Sequence, residues 1–174
     1  YNCRSLVTAP ALPATTLDNY CYNGMFHNCS SLVTAPALPA TTLAISCYSN
    51  MFHNCSSLVT APALPATTLA DHCYDNMFSS CSSLTTTPAL PATTLADHCY
   101  NSMFYGCTSL KLSTILTGIY DTAYRIPTTG TGITATNALT NTFITTGGTF
   151  TGTPEINTTY YTENTPKKKK KNVL

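Results

Sequence analysis

The chain has little charge and no tryptophan. Only 9% of its 174 residues are Asp, Glu, Lys or Arg, against about a quarter in an ordinary globular domain. Before residue 167 the basic residues are Arg4, Lys111 and Arg125, and with seven acids they leave residues 1–166 at a formal charge of −4. A body built to bind nucleic acid is therefore a poor description. Glu155 and Glu163 are the only glutamates. There is no glycine-rich phosphate loop, no C-x-x-C pair, and no Ser-His-Asp set outside the repeated segments. An enzyme gathers non-repeating polar residues at one place, and the repeated body has none, so no catalytic residue, metal or cofactor is expected. Signal-peptide features and an apolar run long enough to span a bilayer are also lacking.

What the chain does have is repetition. Residues 29–54 read CSSLVTAPALPATTLAISCYSNMFHN, and the unit recurs every 26 residues, opening at Cys3, Cys29, Cys55 and Cys81 and, degraded, at Cys107. The string ALPATTL is identical at residues 11–17, 37–43, 63–69 and 89–95. Self-similarity at such a period signals a solenoid, in which each repeat buries its apolar face against its neighbours. Tyr1-Asn2-Cys3 aligns with His27-Asn28-Cys29, so the chain opens inside a repeat and reads as a piece of a longer protein.

Within the second copy, residues 31–35 predict a short strand ended by Pro36 and Pro39, which lack an N–H to donate. Leu43, Cys47, Tyr48, Met51 and Phe52 then predict one face of a two- or three-turn helix. In the third copy Thr68 and Asp71 suggest a variant capping box in front of it. Strands stack about 4.8 Å apart and helices about 8–10 Å. The expected fold is therefore an α/β repeat solenoid, an arc with parallel short strands on the concave side and short helices on the convex side.

The strings C-x-S-L, L-P-A-T-T-L and C-Y-x-x-M-F-x-x-C resemble the BspA-like class of leucine-rich repeat, over residues 1–110. That class occurs in bacterial surface proteins and some phage-encoded proteins. The resemblance implies adhesion and protein binding at an extracellular or cell surface, or alternatively in a virion. This repeat is longer than the usual one of the class, and alanine often replaces a larger aliphatic in the strand.

The expected organisation is a repeat region at 1–110, a cap or small β-domain at 111–166, and a basic tail at 167–174. In the cap, Ile133-Thr134-Ala135-Thr136 and Thr142-Phe143-Ile144-Thr145 read as short strands, with Gly147-Gly148 as a separator. The lysines Lys167, Lys168, Lys169, Lys170 and Lys171 read as a solvated end that can touch anionic polymers weakly.

Nine cysteines form two ladders, Cys3, Cys29, Cys55, Cys81 and Cys107, and Cys21, Cys47, Cys73 and Cys99. Buried free thiols are the first reading; a disulfide within each repeat, such as Cys21 with Cys29, is the second, and zinc a distant third. Asp71-His72-Cys73 and Asp97-His98-Cys99 look like ligand triplets, but neighbouring helix residues diverge, leaving only a weak His72–His98 pair. His27 and His53 are read as helix-end residues suited to the helix dipole. LPATT lacks the final glycine of a sortase signal. The tyrosines and Met-Phe pairs read as core.

The residues between the inward positions of the strand are the candidate binding strip: Val33, Thr34, Val59, Thr60, Thr85 and Thr86, with Val7 and Thr8 before them and Lys111 closing the row. This uncharged ladder suits a repetitive or extended partner, a surface protein or a glycan, held with low monovalent affinity. The rival reading is a phage fibre or capsid decoration that uses the repeats as a rigid spacer.

Overall fold

Apart from Tyr20 in the first copy, asparagine, serine, histidine or glycine recurs at every fourth position of the segment expected as a helix, and these residues set its backbone. The computed structural model describes residues 1–126 and 135–163. φ is positive at Tyr20, Gly24 and Asn28, at Ser46, Asn50 and Asn54, at His72, Asn76 and Ser80, and at His98, Ser102 and Gly106. An α-helix cannot pass through left-handed residues, and no helix forms among the described residues. Each segment is a chain of overlapping turns. Cys47, Ser49, Met51, His53 and Cys55 donate back to the carbonyls of Ala44, Ser46, Tyr48, Asn50 and Phe52, three residues earlier. The left-handed residue takes the third position of every second turn, as a type II turn requires.

The residues between them donate outward. Ser46, Tyr48, Asn50, Phe52 and Asn54 give their N–H groups to Asp71, Cys73, Asp75, Met77 and Ser79 of the next coil, at 2.8–3.0 Å. Half of the amides thus close turns and half join layers, which accounts for the backbone donors of a buried segment. The expected α/β arc with convex helices is therefore overturned: the segments expected as helices are turn spirals. The proposed capping box goes with them. Asp71 caps no helix; its Oδ1 accepts the N–H of Asp97 one coil on, at 3.2 Å. His27 and His53 sit at no helix end; their rings stack 4.7 Å apart.

The predicted strands do not form either. Coils meet on that side through single parallel bridges, Thr8 with Thr34, Thr42 with Thr68, and Thr60 with Thr86. Two prolines per repeat remove the N–H groups a longer ladder needs.

Every coil repeats the same inward slots. Leu32, Leu58, Leu84 and Leu110 are fully buried, as are Met51, Met77 and Met103. Phe26, Phe52, Phe78 and Phe104 stack with centroids 5.5–5.6 Å apart, and Phe143 continues the column at 5.5 Å. Tyr22, Tyr48, Tyr74 and Tyr100 form a second column at 5.8–5.9 Å. Each stacked pair contributes on the order of 0.5–1.5 kcal/mol beyond its burial.

Phe143 marks a fifth layer. Asn137, Asn141 and Thr145 have positive φ, and Ala138, Thr140, Thr142 and Ile144 accept from Tyr100, Ser102, Phe104 and Gly106. Thr142-Phe143-Ile144-Thr145 is thus a turn spiral and not the expected strand; Ile133 and Thr134 of the other expected strand lie outside the described residues. Between the fourth and fifth layers the chain leaves the stack and forms β1 (Leu112–Ser113) and β2 (Tyr120–Arg125). With β3 (Thr159–Glu163) they build an antiparallel sheet in the order β1-β3-β2. Gly147 and Gly148 are no separator between strands. A Cβ on Gly147 would run into the Thr108 carbonyl, and one on Gly148 into the Leu112 backbone, so the pair lets the last layer close on the end of the repeats.

Candidate binding surface

The buried leucines fix which neighbours face outward. Leu32, Leu58 and Leu84 point into the stack, and the next two residues of each coil, Val33 and Thr34, Val59 and Thr60, and Thr85 and Thr86, are exposed. Val7, Val33 and Val59 are 54%, 47% and 44% exposed, an unusual position for so apolar a residue to recur. Lys111 stands at the end of the row but is paired, with Nζ 3.0 Å from a Glu163 oxygen. It ties the last repeat to β3.

The strip is not evenly bonded. Val33 donates to Val7 at 2.9 Å, and Thr85 donates to Val59 at 3.0 Å. Between the second and third coils no main-chain bond joins residues 33–40 to residues 59–66 among the described residues. The pair of coils is held instead at the neighbouring corner, where Thr42 bridges Thr68. A trough opens there. Its upper part, about 380 Å³, is lined by Val33, Thr34, Ala35, Val59, Thr60 and Ala61. Its lower part, about 320 Å³, lies among Pro36, Leu38, Pro39, Pro62, Ala63 and Pro65. Each part is near the small end of ligand-sized pockets. No charged residue lines either part.

No protein-family model, curated protein or solved structure matches this chain. The functional reading therefore rests on surface chemistry and on the repeat string.

The remaining chemistry-bearing side chains serve the stack. All nine cysteines are free; Cys3 and Cys21 are exposed and the other seven buried. The thiols of Cys55, Cys81 and Cys107 donate to the carbonyls of Phe26, Phe52 and Phe78 at 3.1 Å. Burial pushes Cys47 up to about 11 and Cys55, Cys99 and Cys107 up to about 12. At neutral pH these are protonated thiols that fill small apolar slots. The hydroxyls of Tyr48 and Tyr100 are buried without a hydrogen-bond partner among the described residues, and burial raises their pKa.

His72 and His98 are neighbours, with ring centroids 4.5 Å apart and an interplanar angle of 11°. Stacked imidazoles carry their nitrogen lone pairs in parallel planes, so the two do not converge on one ion. His72 Nδ1 lies 3.2 Å from Asp75 Oδ2, and His98 Nε2 lies 3.2 Å from Asn137 Nδ2. No group of three or more His, Cys, Asp or Glu is placed to hold a metal among the described residues. No helix among them is long and apolar enough to cross a membrane. The five lysines of the tail lie outside the described residues.

The outward row was visible in the sequence through its alternation with the leucines. The trough was not: it depends on which pairs of coils bridge at which corner, and the repeats are nearly identical there.

Proposed function

We propose that the chain is a non-enzymatic binding module that acts at an extracellular or cell surface, as the BspA-like repeats it resembles imply. Its contact surface is the Val/Thr strip with the trough between the second and third coils. One observation supports this most: an exposed, uncharged, repeated apolar row opens into a groove with no charge in its lining. Such a surface offers methyl groups, hydroxyls and pyrrolidine faces. It suits the apolar face of a sugar ring or an extended, weakly charged polypeptide.

The strip has no Trp, Tyr or Arg anchor of the kind that dominates tight interfaces. Each contact is weak, and useful adhesion comes from many copies acting together. The test uses beads that carry many copies of the chain on surfaces coated with a mucin glycoprotein or a fibrous matrix protein. Wild-type beads adhere where the free chain binds weakly. The triple variant Thr34→Lys, Thr60→Lys and Thr86→Lys retains its circular dichroism and loses adhesion. Unchanged adhesion by that variant overturns the assignment of the strip.

A second reading, a rigid spacer in a phage fibre or capsid decoration, draws on a different observation. The phenylalanine column runs unbroken through five layers, from Phe26 to Phe143. Wild-type beads that adhere to neither surface favour it. On either reading the lysines from Lys167 to Lys171 add a salt-sensitive contact to anionic polymers.

A further inference from the structure

The most exposed large aliphatics among the described residues lie together, outside the repeats. Ile115, Leu116 and Ile119 are 67%, 60% and 59% exposed, in the loop of residues 114–119 that joins β1 to β2. Every residue of that loop is exposed, and none from Ser113 to Tyr120 is charged. A Cβ on Gly118 would meet nothing within 4 Å, so this part of the loop stands clear of the rest of the chain. Three such side chains in one short loop form an apolar knob, the mark of a contact site rather than of ordinary surface.

The loop is built to keep its shape. The Ser113 hydroxyl accepts the N–H of Ile115 and donates to its carbonyl, both at 3.0 Å. The Thr117 N–H reaches the Tyr120 carbonyl at 3.0 Å, and Thr117 Oγ1 accepts the N–H groups of Ile119 at 3.4 Å and Tyr120 at 3.2 Å. Main-chain groups paired in this way lose little when the loop leaves water, whereas bare ones cost heavily in hydrocarbon.

The sheet also sets the knob beside positive charge. Tyr120, which follows the loop, is opposite Glu163, the last residue of β3. Lys167 comes four positions after Glu163, at most about 14 Å of extended chain, and opens the run from Lys167 to Lys171. Glu163 is itself neutralised by Lys111, with Nζ 3.0 Å away. Asp121, just after the loop, offsets one of the five lysines.

We propose that residues 114–119 dip into the surface of a bilayer that carries anionic lipid, with the lysine run on its headgroups. An aliphatic knob alone binds marginally and a lysine run alone adsorbs electrostatically; firm attachment takes both signals. The knob lacks the Trp, Tyr or Arg anchors that dominate tight protein interfaces. Isoleucine and leucine beside cations match acyl chains beneath phosphate headgroups, and Tyr120 at the base of the loop matches the boundary between them. This contact is separate from the Val/Thr strip and does not rest on it.

The test is flotation of the full chain with vesicles of phosphatidylcholine, alone or mixed in equal parts with phosphatidylglycerol. The chain is expected to float with the mixed vesicles and to bind the plain ones about tenfold or more weakly. Ile115→Ser, Leu116→Ser and Ile119→Ser together lower binding to the mixed vesicles about tenfold or more, with circular dichroism unchanged because all three side chains are exposed. Removing residues 167–174 lowers it similarly and takes away its dependence on salt. The chain has no tryptophan, so Leu116→Trp supplies a single reporter whose emission shifts to the blue when the loop enters the mixed vesicles. A wild-type chain that does not float with the mixed vesicles overturns the proposal. So does a triple serine variant that binds them as the wild type does, or a tryptophan whose emission stays at its value in water. A dimer seen by sedimentation without lipid, and abolished by the triple variant, also overturns it, because a second copy then covers the knob.

Discussion

Asn76 is a position where a turn spiral and a helix respond to mutation with opposite sign. Its φ is 54°, its N–H reaches the Asn101 carbonyl at 2.9 Å, and its side chain donates to Asp75 at 2.7 Å. In a helix, Asn76→Ala stabilises by about 0.5 kcal/mol and Asn76→Gly destabilises by a similar amount. In the left-handed region the order reverses. Alanine pays the Cβ clash of about 1–2 kcal/mol that asparagine partly escapes through its short polar side chain. Glycine has no Cβ and returns about 0.5–1 kcal/mol of that through a more flexible unfolded chain. Asn76→Ala is therefore expected to lose about 1 kcal/mol and Asn76→Gly to stay near wild type. For a chain of this size 1 kcal/mol moves Tm by about 2–4 °C, which thermal melts followed by circular dichroism resolve. Adding Asn50→Ala roughly doubles the loss, since Asn50 has φ 55° in the layer before. An alanine variant more stable than the glycine variant refutes the left-handed spiral.

Three further outcomes follow from the packing. Phe78→Ala removes a fully buried ring stacked on both Phe52 and Phe104 and is expected to cost about 3–5 kcal/mol in chemical denaturation. A loss below about 1 kcal/mol means the column is not closely packed. Ellman's reagent is expected to titrate Cys3 and Cys21 quickly in the native chain, the two exposed thiols, and the remaining seven only after denaturation; nine fast thiols contradict the layered core. His53 is held below its ordinary value of 6.5, first by burial and second by the His27 ring. The folded state then binds fewer protons than the unfolded chain, so this contribution is complete above about pH 6.5 and is lost as pH falls through the lower folded value. His53→Gln should flatten that acid limb, and an unchanged limb assigns it to other groups.

The sequence made the 26-residue layering plain, because ALPATTL and the cysteine and phenylalanine positions recur in register. The apolar spacing points to a helix for a specific reason. Leu43, Cys47, Tyr48, Met51 and Phe52 satisfy helical spacing, yet Cys47, Met51 and Cys55 follow a period of four, and so do Ser46, Asn50 and Asn54. A helix drifts off a period of four, whereas paired turns hold it, and asparagine is the residue that tolerates left-handed backbone. The strand reading failed on Pro36 and Pro39, which stop a parallel ladder at one bridge. Phe143 was hidden as the fifth rung because the excursion through β1 and β2 separates it from Phe104 by 39 residues instead of 26. At the candidate site the outward row was legible from its leucine neighbours. The Lys111–Glu163 pair and the trough were not, since both depend on parts of the chain far apart in sequence.

The most direct test of the architecture is a through-hydrogen-bond scalar coupling measured by NMR on labelled protein. The Phe52 amide nitrogen is predicted to couple to the Met77 carbonyl carbon, 2.9 Å across the coil interface, and the Met77 amide to the Tyr74 carbonyl three residues back. Couplings from Phe52 to Tyr48 and from Met77 to Cys73, four residues earlier in the chain, are the helical pattern and would contradict the turn spiral.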